Sequence, residues 1–219
     1  MDGQTKKEIV KMIQEMSGRY SAYEVFSDWV AMTAIAIANS TKLNHDVVWQ
    51  KREKHYLDLA RKHTPEEVAK LCRMTGLLAE AFEEGMTDIL GEIYMESGCG
   101  SKTTGQFFTP FHLSLLTAEM GMPKTVDEER PYIINEPSSG GGGMIIAAAK
   151  VLKDRGVNYQ RCMEVTAQDL DWKGVYMTYV QLSLLGIRAR VMQGNTLADM
   201  EGYPPERIFI TPALAGMLP

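Results

Sequence analysis

The sequence has no long apolar run. Its longest, Val30 to Ala38 with Thr33 inside it, is about half of the roughly 20 residues that a bilayer span needs. The opening MDGQTKKEIVKMIQEM is a charged amphipathic pattern and lacks the unbroken apolar core of a signal peptide. Cysteine is scarce: Cys72, Cys99 and Cys162 are odd in number and far apart. They point to neither a disulfide framework nor a zinc site, and they fit a reducing cytoplasm. Basic excess is absent too, with 23 Lys+Arg against 28 Asp+Glu and a formal net charge of -5. That balance excludes a general nucleic-acid coat protein while leaving room for a local basic face. Neither an internal repeat nor a long low-complexity segment is visible. What remains is a chain of 219 residues, 45% hydrophobic and 23% charged, which can bury a core as one domain with a helical extension.

The first hundred residues read as helical. Ile9, Met12, Ile13, Met16 and Tyr20 recur at the spacing of one helix face. An apolar stretch from Val25 to Ala38 and a charged one ending at His63 follow. Thr64-Pro65-Glu66-Glu67 predicts a capping box, with a threonine cap, a proline at the first helical position and a glutamate that reaches back. Val68, Leu71, Met74 or Thr75, Leu78 and Phe82 then mark a buried face, and a further helix is predicted over Thr87 to Glu96. Gly98, Gly100 and Gly105 break the pattern. The boundary is placed here: a helical region over 1–100 and a second domain over 101–219.

Beyond it, Thr109-Pro110 opens a predicted helix through Met120. Short apolar runs at Pro131 to Asn135, Met163 to Ala167 and Ile187 to Met192, with a weaker one at Arg207 to Ile210, predict strands. They alternate with predicted helices at Met144 to Arg155 and Lys173 to Leu185. That alternation implies right-handed βαβ units and a parallel sheet. Between the first strand and its helix lies Asn135-Glu136-Pro137-Ser138-Ser139-Gly140-Gly141-Gly142-Gly143. Ligands of open α/β sheets bind outside the carboxyl end of the strands, where glycine lets a ligand approach the main chain and the helix start offers free N–H groups. A flexible loop is the competing reading. The loop matches neither common nucleotide signature, G-x-x-x-x-G-K-[ST] or G-x-G-x-x-G. Asp169 ends the second strand, where an acid can accept hydrogen bonds from ribose hydroxyls. It or Asp171 can equally cap the next helix.

Gly105-Gln106-Phe107-Phe108-Thr109-Pro110, the glycine loop, Ala167-Gln168-Asp169-Leu170-Asp171 and Gly194-Asn195-Thr196-Leu197, in this order, resemble the ordered motifs of adenine-specific (N6) DNA methyltransferases. Closest in pattern are the modification subunits of type I restriction systems and related methylases of mobile elements, which also carry a helical region before G-Q-F-[FY]-T-P. The resemblance covers almost the whole chain. It implies a Rossmann-like sheet, S-adenosylmethionine as cofactor and DNA as partner. It further implies that Phe108, Thr109 and Pro110 lie against the methionine end of the cofactor. Glu136, Pro137, Ser138, Gly140 and Gly142 then wrap the cofactor, Asp169 with Leu170 holds the ribose, and Asn195 stands near the adenine ring.

The departures from that pattern shape the expected function. The family's D-P-A-C-G-[ST]-G is Glu136-Pro137-Ser138-Ser139-Gly140-Gly141-Gly142 here, which suggests weakened or altered cofactor binding. The catalytic [ND]-P-P-[YFW], expected at the end of the fourth strand, has only Thr211-Pro212-Ala213-Leu214 at its position. Thr211 and Pro212 form a degenerate site without amide, carboxylate or aromatic ring. The sheet is expected to be truncated, with an open edge that needs a partner. Fifteen methionines offer adaptable packing for a second copy or a second subunit. Two functions follow: an impaired DNA adenine methyltransferase of a restriction-modification or mobile-element system, or a non-catalytic remnant that binds a partner or counters restriction. A regulator binding another adenosine compound is a third. Lys51, Arg52, Lys54, Arg61 and Lys62 are either a solvated helix face or a DNA contact.

Overall fold

The computed structural model describes residues 3–99, 108–127, 130–198 and 202–216. The chain divides into two compact units, residues 1–107 and 108–219. The first is helical: α1 (Gln4–Met16), α2 (Ala22–Ser40), α3 (Val47–Ala60), α4 (Pro65–Glu84) and α5 (Ile89–Glu96). α1 buries Ile9, Met12, Ile13 and Met16, as the spacing predicts. Tyr20 falls outside this helix, because the chain turns at Ser17; its hydroxyl instead donates to the Lys62 carbonyl. α2 begins with a capping box of Ser21 and Glu24 and buries Phe26 and Trp29. The box at Thr64 and Glu67 opens α4 as expected, and Leu71, Met74 and Leu78 are its buried stripe, while Val68 and Phe82 are half-buried.

The basic stretch is largely taken up inside this unit. Lys54 and Arg61 pair with Asp58 at 3.1 and 3.0 Å, Lys62 pairs with Asp28 at 3.2 Å, and Arg52 is buried. Asp28 also meets the buried His63 at 3.0 Å.

The second unit alternates strands and helices: α6 (Phe111–Gly121), β1 (Tyr132–Glu136), α7 (Gly143–Asp154), α8 (Tyr159–Cys162), β2 (Met163–Asp169), α9 (Trp172–Leu184), β3 (Arg188–Gln193) and β4 (Ile208–Ile210). The sheet order is β1-β2-β3-β4. β1, β2 and β3 are parallel, with Ile134 opposite Val165 and Val165 opposite Ala189. Val165, Ala167, Ala189, Val191 and Phe209 share one sheet face and are buried, and α9 packs against β2 and β3. The alternate residues Ile133, Arg190 and Ile210 are exposed.

β4 departs from the expected parallel arrangement. It pairs antiparallel with β3, Val191 opposite Phe209. A parallel return needs a crossover of a dozen or more residues, usually a helix. Among the described residues of the β3–β4 connection there is only the 3₁₀ turn Pro205–Arg207, after Pro204. The carboxyl end of β4 therefore lies at the opposite end of the sheet from those of β1, β2 and β3. Thr211 is fully buried there. Its Oγ1 accepts from the Ala189 N–H at 2.9 Å and donates to the Ile187 carbonyl at 2.8 Å. Thr211 thus follows β4 and extends the β3–β4 pairing, away from the carboxyl ends of β1, β2 and β3. Thr211→Val keeps the shape and strands two buried backbone groups, so unfolding in urea should show a loss of about 2–4 kcal/mol. Thr211→Ser should recover most of it; an unchanged midpoint in the valine variant contradicts this role.

Candidate functional site at the carboxyl end of the sheet

The loop from Pro137 to Gly142 is held by hydrogen bonds to β2 and α9 and within itself. Gly140 and Gly142 have φ of +53° and +91°, a backbone region in which side chains are strained. The Ser139 N–H donates to the Gln168 carbonyl at 2.8 Å, and the Gly142 N–H donates to the Ser139 carbonyl at 2.7 Å. From α9, the Thr178 hydroxyl donates to the Gly140 carbonyl at 3.0 Å and meets Ser139 Oγ at 3.1 Å. Gln181 Nε2 donates to the Gly141 carbonyl at 2.6 Å. The flexible-loop reading of the glycines is thereby displaced: fixed polar side chains hold the carbonyls that a glycine run leaves free.

Asp169 is the centre of this arrangement. It is 8% exposed. Its Oδ2 accepts from the Gly140 N–H at 2.7 Å, and its Oδ1 accepts from the Asp171 N–H at 2.9 Å. A carboxylate has about four acceptor positions, so each oxygen keeps capacity for a further donor. Room for this carboxylate exists because residue 174 is glycine: a Cβ there would fall 2.9 Å from Asp169 Cγ. Asp171, in turn, caps α9 by accepting from the Lys173 N–H at 3.1 Å. The capping reading falls on Asp171, not on Asp169.

Glu136 ends β1. One of its carboxylate oxygens accepts from the Ser138 N–H at 3.2 Å. Burial pushes its carboxyl above its ordinary value of 4.5, the Asp169 charge adds to the rise, and the Ser138 bond opposes it. Ionised Glu136 therefore weakens the fold at neutral pH. The penalty is absent well below 4.5 and grows as pH rises through the raised folded value. Glu136→Gln should raise the melting temperature at pH 7 and leave it unchanged near pH 3.5. Equal melting at both pH values would contradict the burial of this charge.

The remaining expected residues are distributed unequally. The Phe108 ring lies against Gly140, where an added Cβ would come within 3.1 Å of it. Thr109 and Pro110 are exposed, and the Pro110 carbonyl accepts from Leu113 and Ser114 at the start of α6. Gly105, Gln106 and Phe107 lie outside the described residues. The Pro137 carbonyl accepts from the Thr196 hydroxyl at 2.7 Å, which ties the end of β3 to the loop. Leu170 is 67% exposed at the rim. Asn195 is exposed and its Oδ1 accepts from the Leu197 N–H at 3.0 Å, the bond of a turn residue. Sequence reasoning missed Gly174, Thr178 and Gln181. These three share one face of α9 at i, i+4, i+7 spacing, a small and polar stripe on an otherwise apolar helix. That stripe was the available signal.

Among the described residues no group of histidine, cysteine and acidic side chains suits a metal ion, and no helix is long and apolar enough to cross a membrane. Compared with known families, residues 85–206 match the family model described as N-6 DNA Methylase, more than half of the chain. Comparison with curated proteins gives no match.

Proposed function

The chain belongs to the N-6 DNA methylase family, and from that premise we propose that it binds S-adenosylmethionine at the carboxyl ends of β1 and β2. Its role is in DNA adenine methylation, in the manner of a modification subunit of a restriction-modification or mobile-element system. The carrying observation is the pair of carboxylates there, Glu136 half-buried and Asp169 buried, with the Asp169 charge acting on Glu136. Two such groups suit a ligand that bears a sulfonium, an ammonium and a ribose diol: opposite charge offsets their burial, and the diol supplies donors to Asp169.

When bound, this cofactor supplies an electrophilic methyl group. The chain's own residues bind and orient. Asp169 would take the ribose hydroxyls while still holding Gly140. Glu136 would face the cationic portion, and the Phe108 ring and the exposed Leu170 would cover apolar surface. Thr178 and Gln181 keep the loop carbonyls from collapsing inward.

Titration calorimetry with S-adenosylmethionine and with its demethylated product tests the reading. Saturable heat with both is the expected result. No heat with either at millimolar concentration overturns it.

A second reading is favoured by the position of Thr211. If the acceptors for the adenine amine come from elsewhere, this chain is a cofactor-binding or partner-binding subunit that does no chemistry by itself. β1 is an edge strand, and the exposed Ile133 and Ile210 share the open sheet face with Arg190. A second copy or a second subunit covering that edge and face accounts for both features.

A further inference from the structure

The helical unit contains a cleft that the cofactor reading does not use. Its inner part is an apolar pocket of about 180 Å³ along α2, α3 and α4, lined by Trp29, Met32, Ile37, Leu71, Thr33 and Thr75 among others. The polar atoms of Trp29, Thr33 and Thr75 on this wall are satisfied within the protein. Trp29 Nε1 donates to Thr75 Oγ1 at 3.0 Å, and the Thr33 and Thr75 hydroxyls pair at 2.8 Å. The pocket is therefore mainly apolar, and apolar cavities of about 150 Å³ hold a molecule the size of benzene.

Ala36 and Tyr56 also line an adjoining recess of about 430 Å³, whose other walls include Asn39, Lys42, His45, Trp49 and Glu53. Asn39 is 8% exposed, and its Oδ1 has no hydrogen-bond partner. The amide orientation is set by its neighbours, since Nδ2 donates to Glu53 Oε2 at 3.1 Å and to the Trp49 carbonyl at 3.4 Å, both acceptors. The Oδ1 acceptor of this wall residue is thus left buried without a partner, and its amide nitrogen is bound to a carboxylate. Of the charged groups on the walls of the recess, Lys42 pairs with Asp46 at 3.0 Å and the Glu53 carboxylate accepts from Asn39 Nδ2. Trp49 and Tyr56 add aromatic walls, with His45 stacked on Trp49 at 3.9 Å.

We infer that this cleft binds a small organic amine, with a one-ring or branched apolar body in the inner pocket and a protonated nitrogen donating to Asn39 Oδ1 and Glu53. The nitrogen satisfies the orphaned acceptor and the carboxylate together, and aromatic walls favour a cation. From Thr33 to Asn39 helix α2 rises about 9 Å, which calls for a short flexible stem between ring and amine. The inference is independent of the methylation reading, which concerns the other unit.

The test uses 4-phenylbutylamine on the full chain, with 4-phenylbutanol and 4-phenylbutyrate as matched probes, followed by tryptophan fluorescence and calorimetry. The amine should bind about tenfold more tightly than the alcohol, and the carboxylate should not bind. Glu53→Gln should weaken the amine about tenfold and leave the alcohol unchanged. Ala36→Phe, at the junction of pocket and recess, should abolish both. Should that variant fail to fold, the ranking of the probes and Glu53→Gln still decide. Equal affinity for amine and alcohol, an amine insensitive to Glu53→Gln, or no binding of the amine at millimolar concentration overturns the inference.

Discussion

Incubated with tritiated S-adenosylmethionine and unmethylated DNA, the purified 219-residue chain leaves the DNA unlabelled. The adenine amine is a poor nucleophile because its lone pair is delocalised into the ring. Methyl transfer needs acceptors that align the amine on the methyl group, and such positioning accounts for about 7–11 kcal/mol of rate enhancement in well-oriented reactions. A ring stacked on the extruded base adds about 1–3 kcal/mol. This chain has neither in the expected place. Thr211 is the degenerate counterpart, and its single hydroxyl is engaged by Ala189 and Ile187 at the end of the sheet away from Asp169. Leu214 has no aromatic face. The expected deficit is several orders of magnitude. Label in DNA from purified chain alone refutes the prediction. Label that appears only when cell extract is added means that a second protein supplies the acceptors, which distinguishes a subunit from an inert remnant.

The second large effect is expected at Asp169. Asp169→Ala removes the acceptor for the proposed ribose diol and also releases the Gly140 N–H. Two charge-assisted bonds are worth about 1.5–3 kcal/mol each, so S-adenosylmethionine affinity should fall by roughly two to three orders of magnitude or more. Loss of the loop anchor should also lower stability by about 1–3 kcal/mol. Two further variants separate these contributions. Asp169→Asn can accept from only one of the Gly140 and Asp171 N–H groups, so it should lose less stability than the alanine variant while binding the cofactor more weakly. Gly174→Ala leaves the carboxylate in place chemically but pushes it, since the new Cβ would sit 2.9 Å from Cγ. It should reduce cofactor affinity without removing any hydrogen-bonding group. Calorimetry and urea unfolding on all three variants check the scheme. An alanine variant that binds the cofactor as tightly as the parent chain removes Asp169 from the site.

Much of the fold is written in local sequence. The capping box at Thr64 and Glu67, the periodic face of Ile9 to Met16, and the short β-branched and apolar runs before Glu136 and Asp169 act within a few residues. Backbone hydrogen bonding and side-chain spacing within these short segments specify them. The same holds for the crevice: a strand ending in Glu136, a glycine run and a helix start are adjacent in the chain, so their meeting point is local. Which side chains stiffen that run was not legible. Thr178 and Gln181 lie some forty residues downstream, and only the packing of α9 over the loop gives their polar ends a purpose.

By itself the sequence determined the alternation of strands and helices and membership of a methyltransferase-like class, because each rests on periodicity or contiguous motifs. The tertiary structure decided the rest. It turned β4 antiparallel, because the connection from β3 carries prolines and a 3₁₀ turn in place of a crossover helix among its described residues. That one reversal carried Thr211 to the far end of the sheet, since the direction of a strand sets which end its last residue reaches. It also drew Asp169 inward onto Gly140, a contact between residues 29 positions apart that depends on the register of β1 with β2 and on the absence of a side chain at Gly174.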